Sequence, residues 1–345
     1  MKKIISIILI ACMCCSLFAA CATSPKESSA PAPESTAPVE EAKESEKTKL
    51  DYPTRPITLQ IAWAAGGATD LVGRTMAALS EKYFGVPMNV VNREGANATI
   101  AFTEMMTTAP DGYTISVGVT GNFVTMPYTQ KLEYSFEQTT PIIGLMQEPL
   151  AIIVLEDSPI QSIEDIKNMD KALYGMSGSR GGTHLSVETL IKSAGLTNLE
   201  FVPFQGGGAQ LAPALLGKQV DLIIAQPQTA RVQIESGEAR IIAFLTDERC
   251  ADYPDVPTVA ELGYEGVMDG SIKKWLFAPA GLDPEIQQFL YEGFEKMKED
   301  PLFIEALANN KCYDWDADYN EVTDTIKTLK EQTEPLVNEL GWAAQ

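Results

Sequence analysis

The sequence predicts an α/β protein of two lobes joined by two chain crossings. Three observations carry this reading. From residue 51 onward, short β-branched or apolar runs alternate with longer helical patterns; the alternation occurs twice in succession; and the chain closes with one strand and three helices that have no sheet of their own. A length of 345 residues suits two domains, and 45% hydrophobic with 21% charged residues is ordinary globular composition, enough to build cores without disulfide staples.

In the first unit, residues 57–63 read as a strand, 69–84 as a helix, 88–91 as a strand, 98–108 as a helix and 113–118 as a strand entered through the Pro110-Asp111-Gly112 turn. The second unit opens with a strand at 150–155. Ser162 with Asp165 then has the spacing of a capping box for a helix over 163–169. Strands at 173–176, 199–203, 222–225 and 241–245 alternate with helices at 183–193, 209–217 and 228–236, and a strand at 275–278 precedes helices at 284–298, 301–308 and 319–340. The tail helices need a surface to cover, so they are expected to return to the first unit. Lobe 1 then comprises 51–149 and 272–345, lobe 2 comprises 150–271, and the crossings near 148–150 and 270–274 form a hinge. A single continuous doubly wound sheet is the alternative.

The first fifty residues have another character. Lys2-Lys3, an apolar run over 4–17 and then Phe18-Ala19-Ala20-Cys21 have the layout of a secretory leader, short for a membrane span. Cys directly after small residues resembles a lipobox, with Cys21 acylated as the mature N-terminus and residues 1–20 removed; an uncleaved anchor helix is the alternative. Residues 22–50, rich in Ser, Pro, Ala, Glu and Lys and without an aromatic residue, read as a disordered tether. Such a chain reaches on the order of 30 Å. Four of the six cysteines fall within the first 21 residues. Cys250 and Cys312 remain for the body, and sequence leaves their pairing open. With His184 as the only histidine, no zinc-enzyme or zinc-finger spacing can be assembled.

There are 26 Lys+Arg against 47 Asp+Glu, a net charge of −21. Acids and bases are equal in number over the first fifty residues, so this acidity belongs to the body. No basic face exists to neutralise a nucleic acid, and an anionic ligand has to be held by local dipoles. Three glycine-rich turns following strands supply candidates: Trp63-Ala64-Ala65-Gly66-Gly67-Ala68-Thr69-Asp70, Ser177-Gly178-Ser179-Arg180-Gly181-Gly182-Thr183, and Phe204-Gln205-Gly206-Gly207-Gly208. Each opens a helix, where unpaired N–H groups and the helix dipole favour a carboxylate without any cationic side chain. One such turn alone is what a tight strand-to-helix connection requires anyway; three, spread over both lobes, point to a pocket.

Enzyme motifs fail at the same residues. Leu211 stands where the dinucleotide fingerprint needs its last Gly, while Ala212 and Gln219 break the phosphate-loop pattern around Gly217-Lys218. In Gly175-Met176-Ser177-Gly178-Ser179 the final Gly of a nucleophile elbow is missing, and no acid lies between Ser177 and His184. His184 is expected on the first turn of a helix, satisfied by local hydrogen bonds. No cofactor and no catalytic residue is expected.

A family resemblance enters at these turns. Tyr52-Pro53 through Pro56-Ile57, Gly66-Gly67 ending in Thr69-Asp70, Asn92-Arg93-Glu94-Gly95-Ala96, and Ala109-Pro110-Asp111-Gly112-Tyr113-Thr114 resemble, in that order, the first lobe of Bug-type receptors, the extracytoplasmic solute-binding proteins of tripartite tricarboxylate transporters. The likeness continues through Gly181-Gly182-Thr183-His184, Val202-Pro203-Phe204-Gln205-Gly206-Gly207, Gly217-Lys218-Gln219-Val220-Asp221, the 253–259 segment and Phe277-Ala278-Pro279-Ala280-Gly281, covering about residues 52–300. The resemblance implies a type II periplasmic-binding-protein-like Venus flytrap that closes on a small organic acid and works with a large and a small integral membrane subunit. A role as a sensor signalling to a membrane partner is the alternative.

Carried over by position, the resemblance makes Trp63 an aromatic wall, gives Gly66, Gly67 and Thr69 the first-lobe grip on a carboxylate, and assigns the facing grip to Ser177, Ser179, Gly182 and Thr183, completed by Gln205, Gly206 and Gly207. Thr120, Gly121 and Asn122 match a loop at the ligand's distal end. Ala225-Gln226 departs from the acidic or amide pair common there, leaving Gln226 as the contact. Arg180 is a candidate clamp for a second carboxylate, with a solvated loop arginine as its other reading. Asp70 is expected to hold the turn rather than touch an acid.

Overall fold

The computed structural model describes residues 50–204 and 208–344, so the leader, Cys21, the tether, and Gln205, Gly206 and Gly207 lie outside the described residues. Two five-stranded sheets organise the chain. The first has the order β2-β1-β3-β10-β4, built from β1 (Ile57–Ile61), β2 (Met88–Asn92), β3 (Thr114–Val119), β4 (Thr139–Glu148) and β10 (Ile272–Pro279). The second has the order β7-β6-β8-β5-β9, from β5 (Ala151–Leu155), β6 (Ala172–Ser177), β7 (Leu199–Phe204), β8 (Leu222–Ala225) and β9 (Ala239–Phe244).

The two sheets share one plan. In the first, β1 is parallel to β2 and β3, and β10 runs antiparallel between β3 and β4. In the second, β6 is parallel to β7 and β8, and β5 runs antiparallel between β8 and β9. The strand that enters each sheet from the other is thus the antiparallel one. This is a two-lobed periplasmic-binding-protein fold with two crossings.

Helices α1 (Ala68–Phe84), α2 (Thr99–Met106) and α3 (Met126–Thr129) accompany the first sheet; α4 (Ile163–Lys167), α5 (Gly182–Ala194), α6 (Leu211–Leu216) and α7 (Arg231–Glu235) accompany the second. The tail helices α8 (Pro284–Lys298), α9 (Pro301–Asn309) and α10 (Tyr319–Glu339) pack against the first sheet and α1. Phe294 and Met297 of α8 and Phe303 and Leu307 of α9 join Ile57, Leu59, Val72 and Met76 in one core. Their starts are written in the sequence. Asp283 and Asp300 accept the Glu285 and Leu302 N–H groups and are each followed by Pro at the first helical position, while Asp318 and Glu321 form a capping box. Ser162 caps α4 by accepting the Asp165 N–H. Among the described residues no helix is long and apolar enough to cross a membrane.

Strand β4 has no counterpart in the periodicity, for a physical reason. Pro141 and Gly144 interrupt its β-forming residues, and its burial is nearly continuous instead of alternating. Pro141 is tolerated because β4 is an edge strand. Gly144 is required because a Cβ there would sit 2.6 Å from the Trp315 carbonyl oxygen. A π-helical turn at Gly121–Thr125 likewise carries no periodic signal. Cys250 and Cys312 are both buried free thiols, which answers the question sequence left open.

Candidate functional site

The carboxyl ends of the parallel strands in both sheets lead into the glycine-rich turns, the position at which open α/β sheets hold ligands. In the first lobe, β1 runs into the turn before α1. Gly66 adopts φ +88, a left-handed conformation suited to glycine, and Gly67 is the N-cap with no side-chain cap. The helical ladder starts with Leu71 N–H donating to Gly67 O, so the amides of Ala68 and Thr69 precede it. Behind them Asp70, 1% exposed, holds the turn together. Its Oδ2 accepts the Gly66 N–H (2.8 Å) and Arg74 Nε (2.9 Å), and its Oδ1 accepts Asn92 Nδ2 (2.9 Å), which also donates to Trp63 O (3.0 Å). Burial pushes this carboxyl up, but the hydrogen bonds from Arg74, the Gly66 amide and Asn92 outweigh it and hold it below the usual carboxylate range.

The second lobe repeats the device. From β6 the chain turns through Gly178 (φ +76) and Arg180 (φ +57) to Gly181, the N-cap of α5, again without a side-chain cap. Leu185 N–H to Gly181 O is the first helical bond, leaving the Gly182 and Thr183 amides ahead of it. His184 stabilises this turn from behind. Its Nδ1 accepts the Arg180 N–H at 3.0 Å, which places the proton of a neutral ring on Nε2, 3.3 Å from both the Tyr174 hydroxyl and a Glu188 carboxylate oxygen. The ring is buried between Phe201 and Trp342, with centroids at 4.3 and 4.8 Å.

Between the two turns lie three connected cavities. The first, about 570 Å³, is lined by Trp63, Gly67, Thr69, Asn122, Gln228 and the charged pair Glu148 and Lys274. The second, about 210 Å³, is lined by Asn97, Thr120, Asn122, Thr125, Gly182 and Thr183, with Leu329 of α10. The third, about 250 Å³, is lined by Ser177, Thr183, Leu211, Gln226 and Gln228. Ile272, at the second crossing, borders all three, and Asn122, Thr183 and Gln228 each border two. They form one branched cleft.

The cleft therefore gathers Trp63, Gly67, Thr69, Thr120, Asn122, Ser177, Gly182, Thr183 and Gln226. Gly66 sits behind it, with its amide committed to Asp70. Ser179 and Arg180 are exposed and border none of the three cavities. The Thr120 hydroxyl accepts the Lys273 N–H at 3.3 Å, and Asn122 Nδ2 donates to Asn97 O at 2.8 Å, so both brace the wall they form. Gly182 faces Thr125 closely across the cleft: a Cβ there would lie 3.2 Å from the Thr125 hydroxyl oxygen.

Several wall residues were not anticipated from the sequence. Gln228 presents a buried Oε1 and Thr125 a buried hydroxyl for which the described residues supply no partner. Asn97 lies within three successive non-glycine residues at positive φ, Ala96, Asn97 and Ala98. Glu148 and Lys274 form a buried ion pair across the two crossings. Their signal was available: charged residues directly flanking Pro149 and Trp275, where the chain passes from lobe to lobe.

The fold and these facing helix ends define a two-lobed solute-binding receptor. Comparison with known proteins specifies which kind. A family model described as "Tripartite tricarboxylate transporter family receptor" matches residues 72–342. A protein of Cupriavidus necator, "UPF0065 protein in gbd 5'region", is 34% identical over 263 residues, covering 74% of this chain and 79% of its own. A solved TctC solute-binding protein from Polaromonas superposes with a TM-score of 0.75 at 26% identity, covering 84% of this chain and 99% of that one. The periplasmic binding protein BugD superposes with a TM-score of 0.65 at 28% identity, covering 85% and 100%. The chain belongs to the tripartite tricarboxylate transporter receptor family, whose members are extracytoplasmic solute-binding receptors and not enzymes.

Proposed function

We propose that this receptor captures a small organic carboxylate between its two lobes, residues 51–149 with 272–345 and residues 150–271, and delivers it to the large and small integral subunits of a tripartite tricarboxylate transporter. One observation carries the reading. The two long helices that open onto the cleft, α1 and α5, begin at glycine without a side-chain cap, whereas the tail helices are capped by their own carboxylates. Uncapped amides on opposite walls form a dipolar clamp for one carboxylate, with Gly67 and Thr69 on one side and Ser177, Gly182 and Thr183 on the other. In this reading Gln205, Gly206 and Gly207 complete the second wall, Trp63 covers the ligand's apolar part, and Thr120, Asn122 and Gln226 meet its far end. Arg180 stands outside the cavities on an exposed turn, from which a clamp on a second carboxylate requires its side chain to swing inward.

A thermal-shift screen of the purified protein, stripped of co-purified ligand, tests the carboxylate assignment. Saturation at 100 times the dissociation constant adds about 2.7 kcal/mol, a rise of several degrees. A rise with at least one of succinate, malate, citrate, glutamate, nicotinate or an aromatic acid is expected; no rise with any removes the assignment. The proposal includes an acyl anchor on Cys21, with residues 22–50 as the tether to the bilayer. Cys21→Ser should then free the protein from the membrane fraction, and membrane association undiminished by the substitution would rule out the anchor.

A further inference from the structure

The cleft's charge inventory narrows the ligand class, resting on the carboxylate reading just given. Four charged residues border the three cavities: Asp70, Glu148, Asp269 and Lys274. Asp70 is paired with Arg74, and Asp269 with Lys273. Lys274 Nζ is bound by Glu148 Oε1. Among the described residues no cation bordering the cleft is free. Its remaining attraction for anions comes from two helix ends, each equivalent to roughly half a positive charge, together about enough for one carboxylate.

We infer that Glu148 is a specificity determinant: by occupying Lys274 it makes the cleft select ligands with a single carboxylate and an uncharged polar far end over dicarboxylates. The pair is built into the backbone. Glu148 ends β4 and faces Ile272 of β10, two residues from Lys274, so strand register brings the two side chains together at the crossings. They are 6% and 7% exposed as residues. Cys312 Sγ lies 3.6 Å from the same Glu148 oxygen as a donor. A second ligand carboxylate at the far end, where Asn122 borders the same cavity as the pair, has two options. It faces Glu148 with no counter-ion, or it draws Lys274 away and leaves Glu148 buried and unpaired; either is costly where water is excluded. An amide or hydroxyl meets no such barrier, and Gln228 Oε1, unpartnered among the described residues and in the same cavity as the pair, supplies an acceptor for its proton.

Matched ligand pairs test this: succinate against succinamate, glutarate against glutaramate, adipate against adipamate, by calorimetry on the full chain, on Glu148→Gln and on Glu148→Gln with Lys274→Met. The wild type should bind the best monoamide at least tenfold more tightly than its diacid. Glu148→Gln frees the Lys274 charge and should move that ratio at least tenfold toward the diacid, and adding Lys274→Met should move it back. A wild type that binds the diacid as well or better overturns the inference while leaving the carboxylate reading intact, as does a ratio that Glu148→Gln does not change. Should the single variant fail to fold, the wild-type ratio and the double variant decide, since a double variant that favours the diacid also overturns it. Binding of no acid in these pairs or in the thermal-shift screen overturns the carboxylate reading itself, and a screen hit confined to acids with two or more carboxylates overturns the inference alone.

Discussion

Gly67→Val should abolish carboxylate binding, with affinity falling at least about a hundredfold while the melting temperature stays within about two degrees. The fold tolerates the change because Gly67 has φ −78 and ψ 164, an extended conformation open to any residue, and a Cβ there meets only the Ala64 carbonyl oxygen, at 3.8 Å. Binding does not tolerate it, because the branched side chain takes the space through which a carboxylate approaches the Ala68 and Thr69 amides. Hydrogen bonds to a charged group are worth about 1.5–3 kcal/mol each, so losing two costs roughly 3–6 kcal/mol, or two to four decades of affinity. Gly66→Val is the contrasting control. There φ is +88, so the same side chain strains the turn and lowers stability as well. Calorimetric titration with the best acid from the thermal screen, beside a melting curve, separates the two effects. Affinity within threefold of wild type in Gly67→Val would show that the carboxylate does not sit at the start of α1.

The parts of this molecule legible in its sequence are those governed by local chemistry. Helix α8 begins and ends where Asp283-Pro284 and its amphipathic period place it, and the glycine turns announced themselves because Gly66 and Gly178 occupy left-handed conformations. What escaped depends on register and tertiary packing. Strand β4 looks unlike a strand because its Pro141 and Gly144 answer to an edge position and to the Trp315 carbonyl, neither visible along the chain. Glu148 and Lys274 are 126 residues apart and meet only through the pairing of β4 with β10. Thr125 and Gln228, on short irregular turns, border the cleft because the opposite lobe faces them. Local signals thus located the glycine turns that border the cleft, whereas Glu148, Lys274, Thr125 and Gln228 became visible as wall residues only in the assembled sheets.

Asp70→Ala should be among the most damaging single changes near the site, reducing both stability and binding without removing any residue expected to touch the ligand. The side chain is 1% exposed and serves three donors: the Gly66 amide, Arg74 and Asn92. Alanine leaves the Gly66 N–H and part of the Asn92 amide without acceptors beneath the turn. Because Arg74 is half-exposed and regains water, most of the loss comes from the other two, about 2–4 kcal/mol in all and several degrees in melting temperature. Affinity should fall as well, since the turn that aims the Ala68 and Thr69 amides is no longer pinned at Gly66. The pH dependence identifies the charge as the cause. The folded carboxyl titrates below its ordinary value near about 3.9, so its contribution is complete above that pH and fades as pH drops through the lower folded value. The stability gap between wild type and Asp70→Ala should therefore be constant from pH 7 to 5 and narrow below pH 4. Urea melts across that range measure it, and a gap that stays constant down to pH 3 would show that neutral packing, not the carboxylate, holds the turn.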